Sequence, residues 1–307
     1  QGIEQGSKNA ATLANRALKQ VTYGENNRIG LPDEGTVKTV STISLEDVKS
    51  FYKQYFSPTH ANLVIVGDIS KNEIIPKLNH LKLWQGGSYK VPSYKEFPKV
   101  TPKTLYFVDL PNASQSVIKY SRRAMVYDAT GEHFKATLMN YPLGSAFNSR
   151  INLNLREDKG YTYGASSYFA GGKTLGRFIA GASVKKEHTF DAMFEIEQEL
   201  THYKNKGLTS EEVEFMRQAI SQNEALSYET PAKKSGFLRQ ILQFNLPENY
   251  TEKQSEVIHS ISVNELNAIA SKELSKPMQW IVVGDGQVVK PQLEKLNVDI
   301  IELQLAK

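Results

Sequence analysis

The segment Ile43–Leu81, ISLEDVKSFYKQYFSPTHANLVIVGDISKNEIIPKLNHL, recurs near the end of the chain as Ile261–Leu296, ISVNELNAIASKELSKPMQWIVVGDGQVVKPQLEKL. From Ile43 to Ile261 the offset is 218 residues, and at the shared Val-Gly-Asp it is 217. A period this long indicates duplicated domains, because the repeats of solenoid proteins run to about 20–50 residues. In this alignment the chain begins inside the first copy. The sequence therefore predicts the back part of one domain followed by a complete second, homologous domain.

The predicted boundaries follow from this repeat and from composition. Residues 1–84 are expected to form the C-terminal part of the first domain, truncated at its front. Residues 85–103 contain Gly86-Gly87 and three prolines but few aliphatic side chains, which is typical of a linker. Residues 104–307 are expected to form the second domain.

Overall composition excludes several classes of protein. The 37 basic and 33 acidic residues of the 307-residue chain are interleaved, and a net charge of +4 is too small to indicate a nucleic-acid-binding protein. Apolar runs such as Leu63–Val66 are far below the roughly 18 residues of a membrane helix. Cysteine is absent, which excludes disulfides and thiol chemistry and favours an exported, periplasmic protein. Any zinc site would depend on histidine and carboxylate ligands.

The pattern of apolar residues predicts an α+β fold: two homologous domains, each with helices packed on one face of a mainly antiparallel sheet. In the first copy, Ser44 and Ser70 are expected to cap helices on either side of a strand, Asn62–Val66. In the second copy, Gly171-Gly172 is expected to join two strands as a hairpin by supplying positive φ. The other predicted elements are helices at 12–23, 132–141, 145–158, 190–203 and 209–225, and strands at 104–110, 116–122, 161–170 and 174–184.

The six histidines do not form a recognisable metal-binding motif. None has the spacing H-x-x-x-H, and neither H-E-x-x-H nor H-x-x-E-H occurs. His60, His188 and His259 lie near predicted helix ends and are expected to be solvated.

The segment richest in chemically useful side chains is Leu143–Phe169, LGSAFNSRINLNLREDKGYTYGASSYF. It combines a helix start with small residues, two arginines and a tyrosine-rich strand. An ordinary helix end and an ordinary strand would also use these residues, since a basic last turn suits the helix dipole and tyrosine suits a strand.

This segment resembles the second-domain signature of the insulinase/mitochondrial processing peptidase family, the pitrilysin-like zinc metallopeptidases. In that family an arginine near a helix end and a tyrosine seven residues later bind substrate, which is the spacing of Arg156 and Tyr163. The turn-rich stretch 22–36 and the repeat 43–68 are also similar to family segments. Tyr161 and Arg150 are further candidates. Tyr161 is an alternative to Tyr163 for the substrate-binding role, because residues two apart in a strand point to the same face.

The resemblance implies zinc-dependent cleavage of extended peptides in an enclosed chamber. There, zinc would activate a bound water and a glutamate would take its proton. Substrate would lie along a sheet edge, with Arg156 donating to its carbonyls and Tyr163 donating to a carbonyl or to the oxyanion.

The zinc ligands themselves are not found in this chain. The family's inverted motif lies in the front of the first domain, and a third ligand, a glutamate, falls at Gly2 by ungapped counting, with Glu4 two residues away. No catalytic set and no metal ligands are assigned, and this chain alone is expected to bind no zinc and to be inactive. Zinc is expected in the full enzyme or in a partner subunit.

Three functions remain open from the sequence. The first is the substrate-binding C-terminal portion of a zinc endopeptidase, with an Arg/Tyr pair acting on substrate. The second is a non-catalytic partner subunit of a two-subunit peptidase, which Gly2 favours. The third is an interaction module without a peptidase role. The expected partners are a peptide or unfolded protein and either the missing N-terminal half or a catalytic subunit. Nucleic acid and a membrane span are not expected.

Overall fold

A computed structural model describes residues 1–87, 89–90, 93–102, 104–226 and 228–305 of the chain, except the side chains of 223–226. Its contacts define two compact units. The first comprises Gln1–Val37, Tyr94–Gln218 and Thr251–Lys307, and the second comprises Lys38–Ser93 and Ala219–Tyr250. These units differ from the predicted first domain (1–84), linker (85–103) and second domain (104–307). The predicted borders describe homology between segments and not contact, so they stay a prediction. Part of the predicted linker lies outside the described residues.

Among the described residues, six strands form one sheet in the order β3-β4-β2-β5-β1-β6. Pairing is antiparallel for β2 with β4, β2 with β5 and β3 with β4, and it is parallel for β1 with β5 and with β6. The strands are β1 (Thr104–Asp109), β2 (Gln115–Ala124), β3 (Thr162–Gly171), β4 (Gly176–Lys185), β5 (Gln279–Gly284) and β6 (Asp299–Glu302).

The α-helices lie before, between and after these strands along the chain, and together they confirm the predicted α+β class. They are α1 (Gly2–Gly6), α2 (Ala10–Tyr23), α3 (Val37–Val40), α4 (Leu45–Tyr55), α5 (Lys71–Lys77), α6 (Glu132–Asn140), α7 (Arg150–Asn152), α8 (Thr189–Lys206), α9 (Ser210–Leu226), α10 (Pro231–Phe244), α11 (Tyr250–Ser260), α12 (Val263–Leu274) and α13 (Gly286–Leu293). In the part of the chain that is described, none of them has the length and apolarity that a membrane crossing needs.

The sheet is covered on both faces. On one face, Leu13, Ala17 and Leu18 of α2 form a buried cluster with strand side chains such as Val117 and Ile281. The other face carries α6, α8 and α12, and the indole Nε1 of Trp280 donates to Glu197 of α8 at 2.8 Å. Neighbouring residues of a strand point to opposite faces, and both faces of the sheet are covered. Every residue of β5 is therefore buried.

Helix caps confirm the two serines chosen from the sequence. The Ser44 hydroxyl accepts from the Asp47 N–H while the Asp47 carboxylate accepts from the Ser44 N–H. Ser70 and Glu73 form the same reciprocal capping box at the start of α5. Each pair satisfies two backbone donors that a helix N-terminus otherwise leaves free.

Two local predictions were wrong. Residues 62–66 form no strand, because no described strand lies beside them to provide the hydrogen bonds that define one. The hairpin of β3 and β4 is present, but Gly171 and Gly172 do not have positive φ. Gly171 is required by close packing instead, since a Cβ there would lie 2.6 Å from Nε2 of His133 and 2.8 Å from Cα of Tyr127.

One lysine on the α2 face gives a prediction about pH. Burial, and to a smaller degree the Arg177 guanidinium, lower the pKa of Lys119 to about 8 from its ordinary 10.5. The Lys119 ammonium donates to Asn15 Oδ1 of α2. Between these two pKa values the unfolded chain binds more protons at Lys119 than the folded chain does. The free energy of unfolding therefore increases as pH rises through this range.

We therefore expect Lys119→Met to be more stable than the wild type below pH 8, with that advantage shrinking as pH rises toward 10.5. Urea denaturation of both proteins across this range measures the difference. The matched control is Lys204→Met at the end of α8. An advantage that grew with pH would contradict the assignment.

Candidate functional site

The candidate site begins with a break in the helix predicted over 145–158. Tyr141–Ser145 forms a single π turn, residues 146–149 are not helical, and the chain then continues through α7 into a second π turn at Leu153–Asp158. A continuous helix over this range was therefore a wrong prediction. Pro142 lacks the amide donor that a regular helix requires, which is one reason for the irregularity.

Contacts with β3 fix the first π turn in place. Gly144 lies so close to the strand that a Cβ would approach Ser167 N to 2.4 Å. The Asn140 amide donates to Ser167 O at 2.7 Å and to Ser145 Oγ at 2.8 Å, and Ser167 Oγ donates back to Asn140 Oδ1 at 2.7 Å. This network holds the segment against the edge strand of the sheet.

The break moves Phe147 out of the apolar stripe in which the sequence placed it. Leu143, Ile151 and Leu155 are buried as predicted, whereas Phe147 is 72% exposed. The Arg156 guanidinium carbon lies 4.5 Å from the centroid of its ring, within cation–π range, and Arg156 Nε lies 3.4 Å from the Glu157 carboxylate. The exposed aromatic ring therefore gives the candidate arginine a defined position.

Tyr163 lies at an irregularity of the edge strand. The register of β3 against β4 shifts between Thr162 and Ala165, and Tyr163 is 93% exposed. The Thr162 hydroxyl donates to Ser183 O at 2.6 Å and accepts from the Gly164 N–H at 3.1 Å. The bulge thus leaves the phenol of Tyr163 in solvent at the sheet edge.

A groove of about 420 Å³ joins these features. Asn152 lines it and connects its two sides: the Asn152 amide donates to Phe147 O at 2.6 Å and its Oδ1 accepts from the Ala165 N–H at 2.9 Å. Phe147, which supports Arg156, and Tyr163 therefore line one groove. Its lining residues are Gly144, Ser145, Ala146, Phe147, Asn152, Tyr163, Gly164, Ala165 and Ser166.

The sequence did not identify Phe147 or Asn152 as site residues. A signal was present, because Pro142 and Ser149 are respectively a helix breaker and a residue typical of helix starts. Read together, they would have predicted a helix interruption between them. The bond from Asn152 to a strand thirteen residues away in sequence could not be read from local patterns.

The two less certain candidates have structural partners. Tyr161 precedes β3, and its ring stacks on His188 with centroids 4.5 Å apart. Because the bulge follows directly, the spacing of two does not decide whether Tyr161 and Tyr163 share a face. Arg150 is paired with Glu212 through two 2.6 Å contacts and also donates to Gly207 O at 3.0 Å. A substrate role for either residue stays a prediction.

The histidines and carboxylates of the described residues do not fit a zinc ion. Within the described ranges, no three such side chains are arranged so that they could hold a metal. His133 of α6 is buried, with Nε2 3.3 Å from Phe169 O, and burial lowers its pKa. Gly2 and Glu4 lie in α1, where the Glu4 carboxylate is 3.3 Å from the chain's amino group.

The chain is similar in sequence to a known protein family and to curated proteins. Residues 42–220, more than half of the chain, match the family described as Peptidase M16 inactive domain. The Non-peptidase homolog YmxG of Helicobacter pylori is 23% identical over 259 residues, which cover 83% of this chain and 58% of the relative. An uncharacterized zinc protease of Streptomyces coelicolor is 23% identical over 62% of this chain and 42% of the relative. The chain therefore spans about half the length of the curated relatives it matches.

A solved structure shows the same fold. The crystal structure of a peptidase M16 inactive domain from Pseudomonas fluorescens aligns with 92% of this chain and 68% of that chain. The TM-score is 0.81 and the sequence identity is 20%. Together with the family match, this confirms the resemblance found at Leu143–Phe169 and in the repeat.

Proposed function

Because the chain belongs to the peptidase M16 inactive domain family, we propose that it is the substrate-binding portion of a zinc-dependent endopeptidase. The single observation that carries this proposal is the groove in which Tyr163 lies fully exposed beside Phe147, the ring that supports Arg156. An exposed phenol at a strand bulge contributes little to packing, so a role toward a ligand accounts for it better. Zinc and the general base belong to another part of the enzyme or to a partner subunit.

The groove also indicates how a peptide would be held. Two backbone groups of β3 are already used, since Asn152 accepts from the Ala165 N–H and Asn140 donates to Ser167 O. A peptide strand therefore cannot pair with those two positions. Substrate contacts come chiefly from the side chains of Arg156 and Tyr163, with the phenol donating to a peptide carbonyl and the guanidinium donating from its fork.

A second candidate function is a non-catalytic subunit that assists a separate catalytic chain. It is favoured by Gly2, which stands where ungapped counting places a zinc-ligating glutamate, and by the Helicobacter pylori relative, which is named a non-peptidase homolog. In both candidates the groove binds substrate. They differ in whether the zinc-carrying part belongs to the same polypeptide. An interaction module would differ from both by binding a folded partner and not unfolded peptide.

The proposal is tested by binding of labelled, unfolded casein to this chain, measured by fluorescence anisotropy. Tyr163→Phe and Arg156→Ala are each expected to weaken binding about tenfold, because each loses a hydrogen bond worth roughly 1–2 kcal/mol. Tyr168→Phe is the matched control, since that tyrosine lies on the same strand and is 42% exposed. Equal affinities for all four proteins would show that the groove has no part in binding.

A further inference from the structure

Three cationic side chains lie together on one face of the sheet, beside the end of α2. Arg123 of β2 and Arg177 of β4 are directly opposite each other in the antiparallel ladder. Lys119 lies on β2 at an even spacing from Arg123, so all three side chains point to the same face. The Lys119 ammonium donates to Asn15 Oδ1 of α2, which identifies this face as the one that α2 packs on. We call these three residues the cationic cluster.

The cationic cluster has no carboxylate partner among the side chains that the structure describes, since their ion pairs involve other cations. Arg123 lies over the ring of Phe97, with its guanidinium carbon 5.2 Å from the centroid, and Arg177 hydrogen-bonds with the phenol of Tyr23. Burial, and then the charge of Arg177, lower the pKa of Lys119 to about 8. Like charges directly opposite in a ladder destabilise a sheet. A bound anion would offset this repulsion.

Solvent reaches the cationic cluster. The side chains of Lys119, Arg123 and Arg177 are partly buried, and none of them is enclosed completely. Toward the edge strand, the same face of the sheet is open, because Ser166 and Tyr168 of β3 are exposed. Partial burial also strengthens the attraction between these cations and an anion, since the effective dielectric constant there is lower than in water.

One row of residues across the sheet connects the cationic cluster with the peptide groove. Lys119 is opposite Gly181, and Gly181 is opposite Ser166, which lines the groove. Because neighbouring strands are about 4.8 Å apart, Lys119 and Ser166 are separated by about 10 Å, a distance that about three residues of extended peptide span. Gly181 carries no side chain that would obstruct a peptide between them.

We propose that the cationic cluster is a subsite for a carboxylate of the peptide substrate, about three residues away from the substrate residue beside Ser166. This inference rests on the proposed function, because it requires that the groove holds peptide. The guanidinium groups of Arg123 and Arg177 offer several donors to one carboxylate, and the ammonium of Lys119 adds a third positive charge. The carboxylate comes from an aspartate or glutamate side chain or from the peptide's C-terminus.

Labelled peptides of one unstructured sequence test this proposal by fluorescence anisotropy. The reference peptide is uncharged and amidated at its C-terminus. One set carries a single glutamate in place of glutamine at successive positions, and one further peptide has a free C-terminus. At least one carboxylate-bearing peptide is expected to bind about tenfold more tightly than the reference, because it gains a charge-assisted hydrogen bond. The peptide that binds most tightly identifies the source of the carboxylate. Carboxylate-bearing peptides that bind no better than the reference would overturn the proposal.

Variants of the protein locate the preference for a carboxylate. Arg123→Gln and Arg177→Gln are each expected to reduce the tenfold preference to about twofold or less, because each removes a charged donor. Lys206→Gln, at the exposed end of α8, is the matched control and should retain it. A preference that persisted in both arginine variants would place the anion elsewhere and overturn the proposal. Tyr163→Phe should weaken binding of all peptides alike, and absence of that effect would count against the groove and not against the cationic cluster.

Discussion

Glu273→Ala is expected to lower the free energy of unfolding by about 3–5 kcal/mol, the usual loss when one partner of a buried ion pair is removed. The side chains of Arg122 and Glu273 are 3% and 2% exposed, and their Nη2 and Oε2 atoms are 2.6 Å apart. The Arg122 guanidinium also lies near the rings of Phe169 and Phe178, which cannot take the place of the lost carboxylate as an ionic partner. Urea denaturation followed by tryptophan fluorescence measures the loss.

Two further variants separate the buried pair from ordinary surface pairs. Glu132→Ala removes the partner of Lys272, and because both side chains are well exposed the expected loss is below about 1 kcal/mol. The double replacement Arg122→Met with Glu273→Leu is expected to recover most of the stability, since neither charge is then left buried alone. If Glu273→Ala lowered the free energy of unfolding no more than Glu132→Ala, burial would not strengthen the dependence of Arg122 on Glu273.

In the proposed zinc peptidase, where the Tyr163 phenol donates to the developing oxyanion, Tyr163→Phe is expected to lower kcat about 10²–10³-fold. The substitution removes one hydroxyl from a side chain that is 93% exposed, so the fold should be unaffected. The measurement is steady-state cleavage of an unfolded protein by this polypeptide together with its zinc-carrying part.

Tyr161 and Tyr168 provide the controls for that measurement. Tyr161 stacks on His188 outside the groove, and Tyr168 follows on the same strand, so Phe at either position should leave kcat within about twofold of the wild type. A larger loss for Tyr161→Phe than for Tyr163→Phe would transfer the role to Tyr161. An increase in KM with kcat unchanged would limit the role of Tyr163 to substrate binding.

Local rules predicted the parts of the fold that depend on neighbours in sequence. Ser44 and Ser70 cap their helices with residues three positions away, and Thr209 and Glu212 form the reciprocal bonds expected of a capping box. Gly207, with φ of 74°, follows the last residue of α8, as is typical of a glycine at a helix end. These features involve few residues and short loops, so composition and spacing are sufficient to find them.

Long-range contacts account for what the sequence did not reveal. Arg150 looked like a candidate for substrate because its partner, Glu212, lies 62 residues away. Phe147 had the spacing of a core residue, and the close approach of Gly144 to β3, which spacing does not reveal, contributes to the helix break before it. The strand predicted at 62–66 failed for a similar reason, because strand formation depends on a partner and not on β-branched composition alone.

Helix α2 has a consequence for how the two repeats depend on each other. It belongs to the predicted first domain, yet its apolar side packs on the sheet of the predicted second domain through Val108, Val117 and Val283. A polypeptide that lacked α2 would expose one apolar face of that sheet to solvent, although every strand would still be present. Helix α2, from the predicted first domain, therefore belongs to the interior of the predicted second domain, and a substitution on its apolar side alters the packing of that sheet.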